Sequence, residues 1–167
     1  NQSELIYLYA NPLLKDLAES EFIKDNNCHS QIKTIYDVIS QKNLNFRIEF
    51  NPILDFNEFI ATCRKAPKIL HICCNAIEEK VNGIKKMFLC FEKQGCLDKI
   101  REDEIQTSLS QEPAVKSIEL AIISTPNAKK LGHCFISSGI QNVICINNEI
   151  TFPHVNIIEN NFIENLY

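Results

Sequence analysis

The residue types that could do chemistry gather in one short stretch. Residues 69–76 read Ile-Leu-His-Ile-Cys-Cys-Asn-Ala and bring one histidine together with two cysteines. A cysteine becomes a nucleophile for peptide cleavage when a nearby group with a pKa of about 6 to 7 takes its proton. A second candidate pair, His133 and Cys134, is adjacent in the sequence. Cysteine-peptidase chemistry is therefore the first activity to consider.

The same stretch predicts the strand around which the rest of the chain is organised. Residues 69–74 are apolar or weakly polar and show no alternation, which is typical of a strand covered on both faces in a parallel sheet. In such sheets, functional residues gather outside the carboxyl ends of the strands. We therefore expect Asn75 and Ala76 to leave the strand into a loop that faces a cleft.

Each reactive side chain also has a structural interpretation. His71 lies inside the predicted strand, where a buried histidine with satisfied hydrogen bonds is favoured. Without a base nearby, a thiol with a pKa of about 8.5 is only a few per cent ionised at pH 7, so Cys73 and Cys74 are predicted to be buried packing residues. Consecutive helical positions do not face each other, so His133 and Cys134 indicate a partly exposed helix face.

No metal and no cofactor is predicted. The pairs Cys28 with His29 and His133 with Cys134 lack the Cys-x-x-Cys or His-x-x-His spacing that zinc sites use. The chain has only four glycines, and they are scattered, so they form no phosphate-binding loop.

Composition limits the class of protein. The chain has 167 residues and a net charge of -4, and its 17 basic residues form no stripe, which argues against a nucleic-acid partner. No apolar run reaches the roughly 18 residues that a membrane-spanning helix needs. The eight cysteines are not a disulfide scaffold at this length, and those at 63, 73, 90 and 145 sit in apolar runs. We expect a reducing, cytoplasmic compartment. We also expect one domain over residues 1–167, as part of a longer protein.

The elements that position these residues alternate between strands and helices. Strands are predicted at 5–9, 46–50, 69–74, 87–91, 118–124 and 143–146, and helices from about 28 to 39, from Asp55 or Asn57, at 97–109, 127–136 and 152–167. Residues 78–86 are predicted to be irregular. This alternation predicts an α/β fold, a three-layer flavodoxin-like or caspase-like sandwich whose mainly parallel central sheet is flanked by helices.

Several stretches, taken in order, resemble the CHAT domain, a caspase-like cysteine-peptidase family related to separase. Residues 9–12 look like the family's opening strand and its Ala-Asn-Pro turn, and residues 66–71 look like the proline-led approach to its central strand. Residues 88–92 resemble the strand after the catalytic histidine. Residues 139–144 are similar to the entry to a later strand, and residues 148–151 and 162–167 fit the closing helix.

The chain departs from this family at both catalytic positions. The family's central strand ends in His-x-x-Cys-His-Gly, where the second histidine is the base, and the next strand ends in Ser-Ala-Cys, where the cysteine is the nucleophile. Asn75 and Pro126 stand at these two positions. Asparagine has no proton equilibrium in the working pH range, and proline supplies neither a nucleophile nor a backbone N–H for an oxyanion hole. The resemblance therefore implies a pseudopeptidase that is not an enzyme.

The function expected from this resemblance is a protein-interaction or scaffold module within a larger protein or assembly. Its partners would be proteins, such as helical-repeat segments of the same chain or of an assembly. Broad helix faces, including Lys129 and Lys130, are preferred as the docking surface over the sheet edge at residues 46–50.

Two alternatives stay open. One is an active cysteine peptidase with a relocated nucleophile and base, using Cys73, Cys74 or Cys134. The other is a TIR-like nucleotide-handling domain, because its sheet order is similar. No glutamate stands clearly at the helix start where that second alternative would need one.

Overall fold

The computed structural model describes residues 4–10, 28–41, 47–52, 55–94, 96–125 and 128–147. Within these ranges the elements follow in the order β1 (Leu5–Tyr9), α1 (Cys28–Gln41), β2 (Ile48–Pro52), α2 (Phe56–Arg64), β3 (Ile69–Cys73), β4 (Asn75–Val81), β5 (Ile84–Lys93), β6 (Cys96–Arg101), α3 (Glu102–Ser110), a 3₁₀ helix (Pro113–Ser117), β7 (Leu120–Thr125), α4 (Ala128–Ser137) and β8 (Asn142–Asn147).

Five strands form the central sheet in the order β2-β1-β3-β7-β8, and every neighbouring pair is parallel. Counted along the chain within this sheet, the order is 2-1-3-4-5, which is the flavodoxin-like arrangement. Parallel neighbours need crossover connections, and the helices supply them. The predicted three-layer α/β sandwich with a mainly parallel central sheet is confirmed.

The two faces of the sheet are covered by different helices. On one face, Ile35 of α1 packs with Tyr7, Cys73 and Ile122. On the other face, α2, α3 and α4 pack with the alternate residues of the same strands, among them Leu70 of β3. Because successive side chains of a strand point to opposite faces, the unbroken apolar run of β3 is buried on both sides.

A second, antiparallel sheet with the order β4-β5-β6 follows β3. Its first hairpin turns through Asn82 and Gly83, whose φ angles are 53° and 80°. Two consecutive residues with positive φ are characteristic of the two-residue turn that suits the twist of a β-hairpin, and Asn-Gly is its preferred sequence. The prediction of an irregular segment at residues 78–86 is therefore wrong.

The helix predicted at 97–109 is correct only in its second half. Residues 96–101 pair with β5 as strand β6, and α3 begins at Glu102. The first turn of α3 carries Glu102, Asp103 and Glu104, whose negative charges are favourable at the positive end of the helix dipole.

The remaining predicted elements in the described ranges are confirmed with small shifts at their ends. Asp55 caps α2, because its side chain accepts a hydrogen bond of 3.0 Å from the backbone N–H of Glu58. The predicted helix at 152–167 and the predicted helix start at Asn127 lie outside the described residues. None of the helices in the described ranges is long and apolar enough to cross a membrane.

Candidate functional site

The parallel strands β3 and β7 end side by side at the same edge of the sheet. Cys73 of β3 lies beside Ser124 of β7 in the register. Asn75 follows Cys73 by two residues, and Pro126 follows Ser124 by two residues. Pro126 lies outside the described residues, whereas Asn75 and the ends of β3 and β7 lie within them.

Asn75 does not open a loop onto a cleft. After a single residue, Cys74, the chain enters β4, and Asn75 is the first residue of that strand. Asn75 pairs with Cys90 of β5, and its side chain is only 1% exposed. The expectation of a loop and an exposed polar position is wrong, because β5 provides an antiparallel partner as soon as β3 ends.

Side chains of the second sheet close the carboxyl end of the central sheet. Cys74 and Ala76 belong to the same buried cluster as Met87 and Leu89 of β5, and all four are buried. The cluster continues without a break into the helix layer that covers β3 and β7. The described strand ends are therefore filled by the chain's own hairpin.

An aromatic group joins the second sheet to the helices. Phe91 of β5 is fully buried, and its ring centroid lies 5.2 Å from that of Phe59 and 6.5 Å from that of Phe56, both on α2. Phe59 in turn lies 6.4 Å from Phe135 of α4 in an edge-to-face arrangement. Tilted and edge-to-face aromatic pairs at these distances are favourable, so the second sheet is part of the main core.

His71 belongs to a buried polar row on the opposite face, beneath α1. Its Nε2 atom lies 3.0 Å from Oγ of Ser124, and its ring lies edge-on to that of Tyr7 with 4.6 Å between centroids. The hydroxyl of Tyr7 donates a hydrogen bond to Oε1 of Gln31 on α1. The row thus connects β7, β3, β1 and α1, and none of these contacts was predicted from the sequence.

The environment of His71 makes it a weak base. Its side chain is 2% exposed, and burial lowers its pKa from 6.5 to about 3, because the protonated form would lose its hydration. A base of this strength remains neutral at pH 7 and takes a proton from a thiol or hydroxyl only at high cost. Ser124 is fully buried as well, so this histidine–serine contact is closed to substrate. The prediction of a buried, hydrogen-bonded structural histidine is confirmed.

The seven cysteines between residues 63 and 145 are free thiols, and five of them are buried. Cys73 and Cys74 are fully buried, which confirms the prediction that they are packing residues. Cys63 is also buried, and burial raises the pKa of its thiol. Cys96 and Cys145 are exposed, so the expectation that Cys145 is buried within its apolar run is wrong.

His133 and Cys134 are adjacent in the sequence, but their side chains differ in exposure, because consecutive residues of a helix do not face the same way. His133 is exposed, whereas Cys134 is buried and its Sγ lies 3.7 Å from the carbonyl oxygen of Lys130. Burial, followed by the negative charges of Glu102 and Asp103, raises the pKa of Cys134 to about 11. The expectation of a partly exposed helix face is correct for the histidine and wrong for the cysteine.

Two surface cavities are lined by described residues of α2, α3 and their flanking segments. A depression of about 210 Å³ between α2 and α3 is lined by residues including Arg64 and Glu112, whose side chains form a salt bridge of 2.5 Å. Arg64 and Glu112 are the charged residues in the lining of this depression, and they are paired with each other. Among the described residues, no group of three or more His, Cys, Asp or Glu side chains could hold a metal ion.

Comparison with protein-family models and with curated proteins assigns no family to the chain. The chain matches no protein-family model, and a search of curated proteins finds no significant match. What the site can do chemically therefore follows from its own side chains, which are buried thiols, a neutral buried imidazole and a buried amide.

Proposed function

We propose that the chain is a CHAT-like domain that has lost peptidase activity and works as a protein-interaction or scaffold module in a reducing, cytoplasmic compartment. The main observation behind the proposal is that His71 is buried and that burial lowers its pKa. The histidine of the central strand is 2% exposed and has a pKa of about 3, so it is a poor general base at neutral pH. Free thiols at the described cysteines are consistent with a reducing compartment.

The thiols at the strand end support the same conclusion. An attacking sulfur must come to about 3 Å from a substrate carbonyl, with a base in hydrogen-bond reach. Cys73 is fully buried in the cluster beneath α1, and Cys74 is fully buried in the cluster that includes Met87 and Leu89 of β5, so neither thiol is accessible to a substrate in the folded protein. Asn75, which stands where the family has its base, is buried and cannot take up a proton.

We expect no peptide cleavage by the purified protein. The test is incubation with a mixed library of synthetic peptides between pH 5 and pH 8, with new peptide ends measured by mass spectrometry. The expected result is that the wild type produces no more cleavage than a variant with Cys73→Ala and Cys74→Ala. A relocated active site at these thiols would instead give cleavage that the double variant loses. A site at Cys134 would give cleavage that Cys134→Ala loses.

The structure changes which lysine of α4 is suitable for testing the docking surface that the sequence favours. Lys130 of α4 forms an ion pair with Glu78 of β4, so it connects parts of the fold, and a charge reversal there disturbs the domain itself. Lys129, its neighbour, is exposed and remains a suitable position for testing a partner on α4. The proposed partners remain proteins, such as helical repeats of the same chain or of an assembly.

A further inference from the structure

The outer strands of the two sheets differ in how their edges are protected. Among the described strands, β2 and β8 border the central sheet, and β4 and β6 border the second sheet. Proteins block sheet edges against further pairing with charged residues and prolines. β2 carries Glu49 and Pro52, and both β4 and β6 carry acidic and basic residues. β8 (Asn142–Asn147) carries neither a charged residue nor a proline, so its edge is open to pairing.

β8 is apolar on both faces of the sheet. Ile144 and Ile146 lie on the face covered by α1, whereas Val143 and Cys145 lie on the face covered by α4. Ile146 is buried, Val143 and Ile144 are half-buried, and Cys145 is exposed. Because successive side chains of a strand point to opposite faces, a strand added beside β8 extends both core layers only if it is also apolar on both faces.

Helix α4 lies close over this edge. Gly132 of α4 approaches β8 so closely that a Cβ atom there would collide with Sγ of Cys145. Ile136 follows Gly132 by one helical turn, so it lies on the same side of α4. Its side chain is 53% exposed. An exposed apolar side chain of α4 therefore lies on the side of the helix that faces the strand edge.

We propose that β8 pairs with β8 of a second copy of this chain, antiparallel about a twofold axis, and joins the two five-stranded sheets. An axis perpendicular to the sheet keeps each face on its own side, so only residues of the same face lie opposite each other. An axis at Cys145 pairs Ile144 with Ile146 of the second copy, and the reverse. An axis at Ile144 instead sets Asn142 opposite Ile146. The register centred on Cys145 is therefore the favoured one.

The same axis brings the two α4 helices together. α4 packs over both β7 and β8, and strands lie about 4.8 Å apart, so the two helices would lie about 10 Å apart, at the upper end of the usual packing distance. Lys129 and Ile136 lie on either side of Gly132. Antiparallel helices therefore set Ile136 of one copy toward Lys129 of the other and keep the two lysines apart. A single added peptide strand would leave Ile136 in water, which favours a second copy as the occupant.

The inference goes beyond the proposed function. It concerns the edge of the central sheet and holds whether or not the chain cleaves peptides. Cleavage in the peptide-library experiment would therefore reject the inactive function and leave the pairing of β8 unaffected.

The test is sedimentation velocity of the 167-residue protein in reducing buffer over a range of concentrations, and we expect a concentration-dependent dimer. Cys145→Lys sets like charges opposite each other at the axis and should raise the Kd about tenfold or more, whereas Cys145→Ser should change it little. Ile136→Ser should raise the Kd about threefold or more. Ile84→Ser is the matched control, because Ile84 is 63% exposed but lies on the second sheet, and it should leave the Kd unchanged.

Circular dichroism shows whether each variant is folded. Ile136→Ser, on the surface of α4, decides the outcome if Cys145→Lys disturbs the packing on Gly132. Alkylation by iodoacetamide is a second measurement. Cys145 should react like Cys96 in dilute protein and more slowly as the concentration rises through the Kd, while the rate at Cys96 should stay constant.

Two results would overturn the inference. A wild-type protein that remains monomeric up to about 0.5 mM would show that β8 does not pair with a second copy. A dimer that is weakened by Ile84→Ser and unaffected by both Cys145→Lys and Ile136→Ser would place the contact on the second sheet.

Discussion

Replacing Phe91 with alanine is expected to lower the free energy of unfolding by about 3 to 5 kcal/mol, the range for removing a fully buried phenylalanine. Phe91 comes from the second sheet, is fully buried and packs on Phe59 of α2 at 5.2 Å between ring centroids. Its loss leaves a cavity between the sheet that closes the strand ends and the helices behind it. Urea unfolding at pH 7, followed by circular dichroism, measures the change.

Phe50→Ala is the matched control for this substitution. Phe50 lies on the edge strand β2 and is only half-buried, so its truncation removes less contact and should cost clearly less. Equal costs for the two variants would show that the second sheet packs loosely on the helices. The strand ends would then be open to solvent, and the candidate site would not be closed.

The second large effect is a loss of stability in mild acid caused by His71. Its pKa in the folded protein is lowered to about 3, while the same side chain in the unfolded chain titrates near 6.5. Between these values the unfolded state binds a proton and the folded state does not, so stability falls as the pH falls. At about 1.4 kcal/mol per pH unit, His71 alone should remove about 2 kcal/mol between pH 6.5 and pH 5.

His71→Asn should be less stable than the wild type at pH 7, because its contact with Ser124 is altered, and should lose less stability between pH 6.5 and pH 5. His133→Asn is the control, since His133 is exposed, and it should keep the wild-type slope. The carboxylate of Glu78 has a lowered pKa, so its contribution disappears only as the pH falls below about 4.5, outside this window. A wild-type slope in His71→Asn would mean that His71 takes up its proton over the same pH range in the folded and the unfolded protein, so that its neutral form could act as a base near neutral pH.

The central sheet was predictable because its signals are local. The apolar or weakly polar run of β3, without alternation, indicated a strand buried on both faces, and a helix was predicted from about residue 28 to 39, where the structure has α1. Asp55 was one of two candidate helix caps, with Asn57, and the structure shows that Asp55 is the cap. These features depend on neighbours within a few residues.

Within the second sheet, the strand at residues 87–91 was predicted, whereas β4 and β6 were missed for two different reasons. Asn82 and Gly83 are a strong hairpin signal that the sequence contains, and giving it more weight would have predicted the β4–β5 turn. Ile100, by contrast, fits a helical pattern with Ile105 and Leu109 but lies in β6, opposite Leu89. That pairing is a tertiary contact, and tertiary contacts override local preference.

The contents of the candidate site were the least predictable part. The contact between His71 and Ser124 joins residues 53 positions apart, and the chain shows no local pattern that pairs them. The burial of Asn75 depends on β5, which lies beyond the hairpin turn. The residue types at positions 75 and 126 indicated that a base and a nucleophile are missing. The burial of Asn75 and the contact between His71 and Ser124 follow only from the three-dimensional structure.

The most direct test of the central claim, that the thiols and the histidine of the central strand are structural, is the alkylation rate of each cysteine. The native protein is treated with iodoacetamide at neutral pH, and labelling is followed by mass spectrometry. The exposed Cys96 and Cys145 should react first, no faster than free cysteine, while Cys73 and Cys74 should react only after unfolding in urea. Alkylation of Cys73 or Cys74 in the native protein, faster than free cysteine, would contradict the claim.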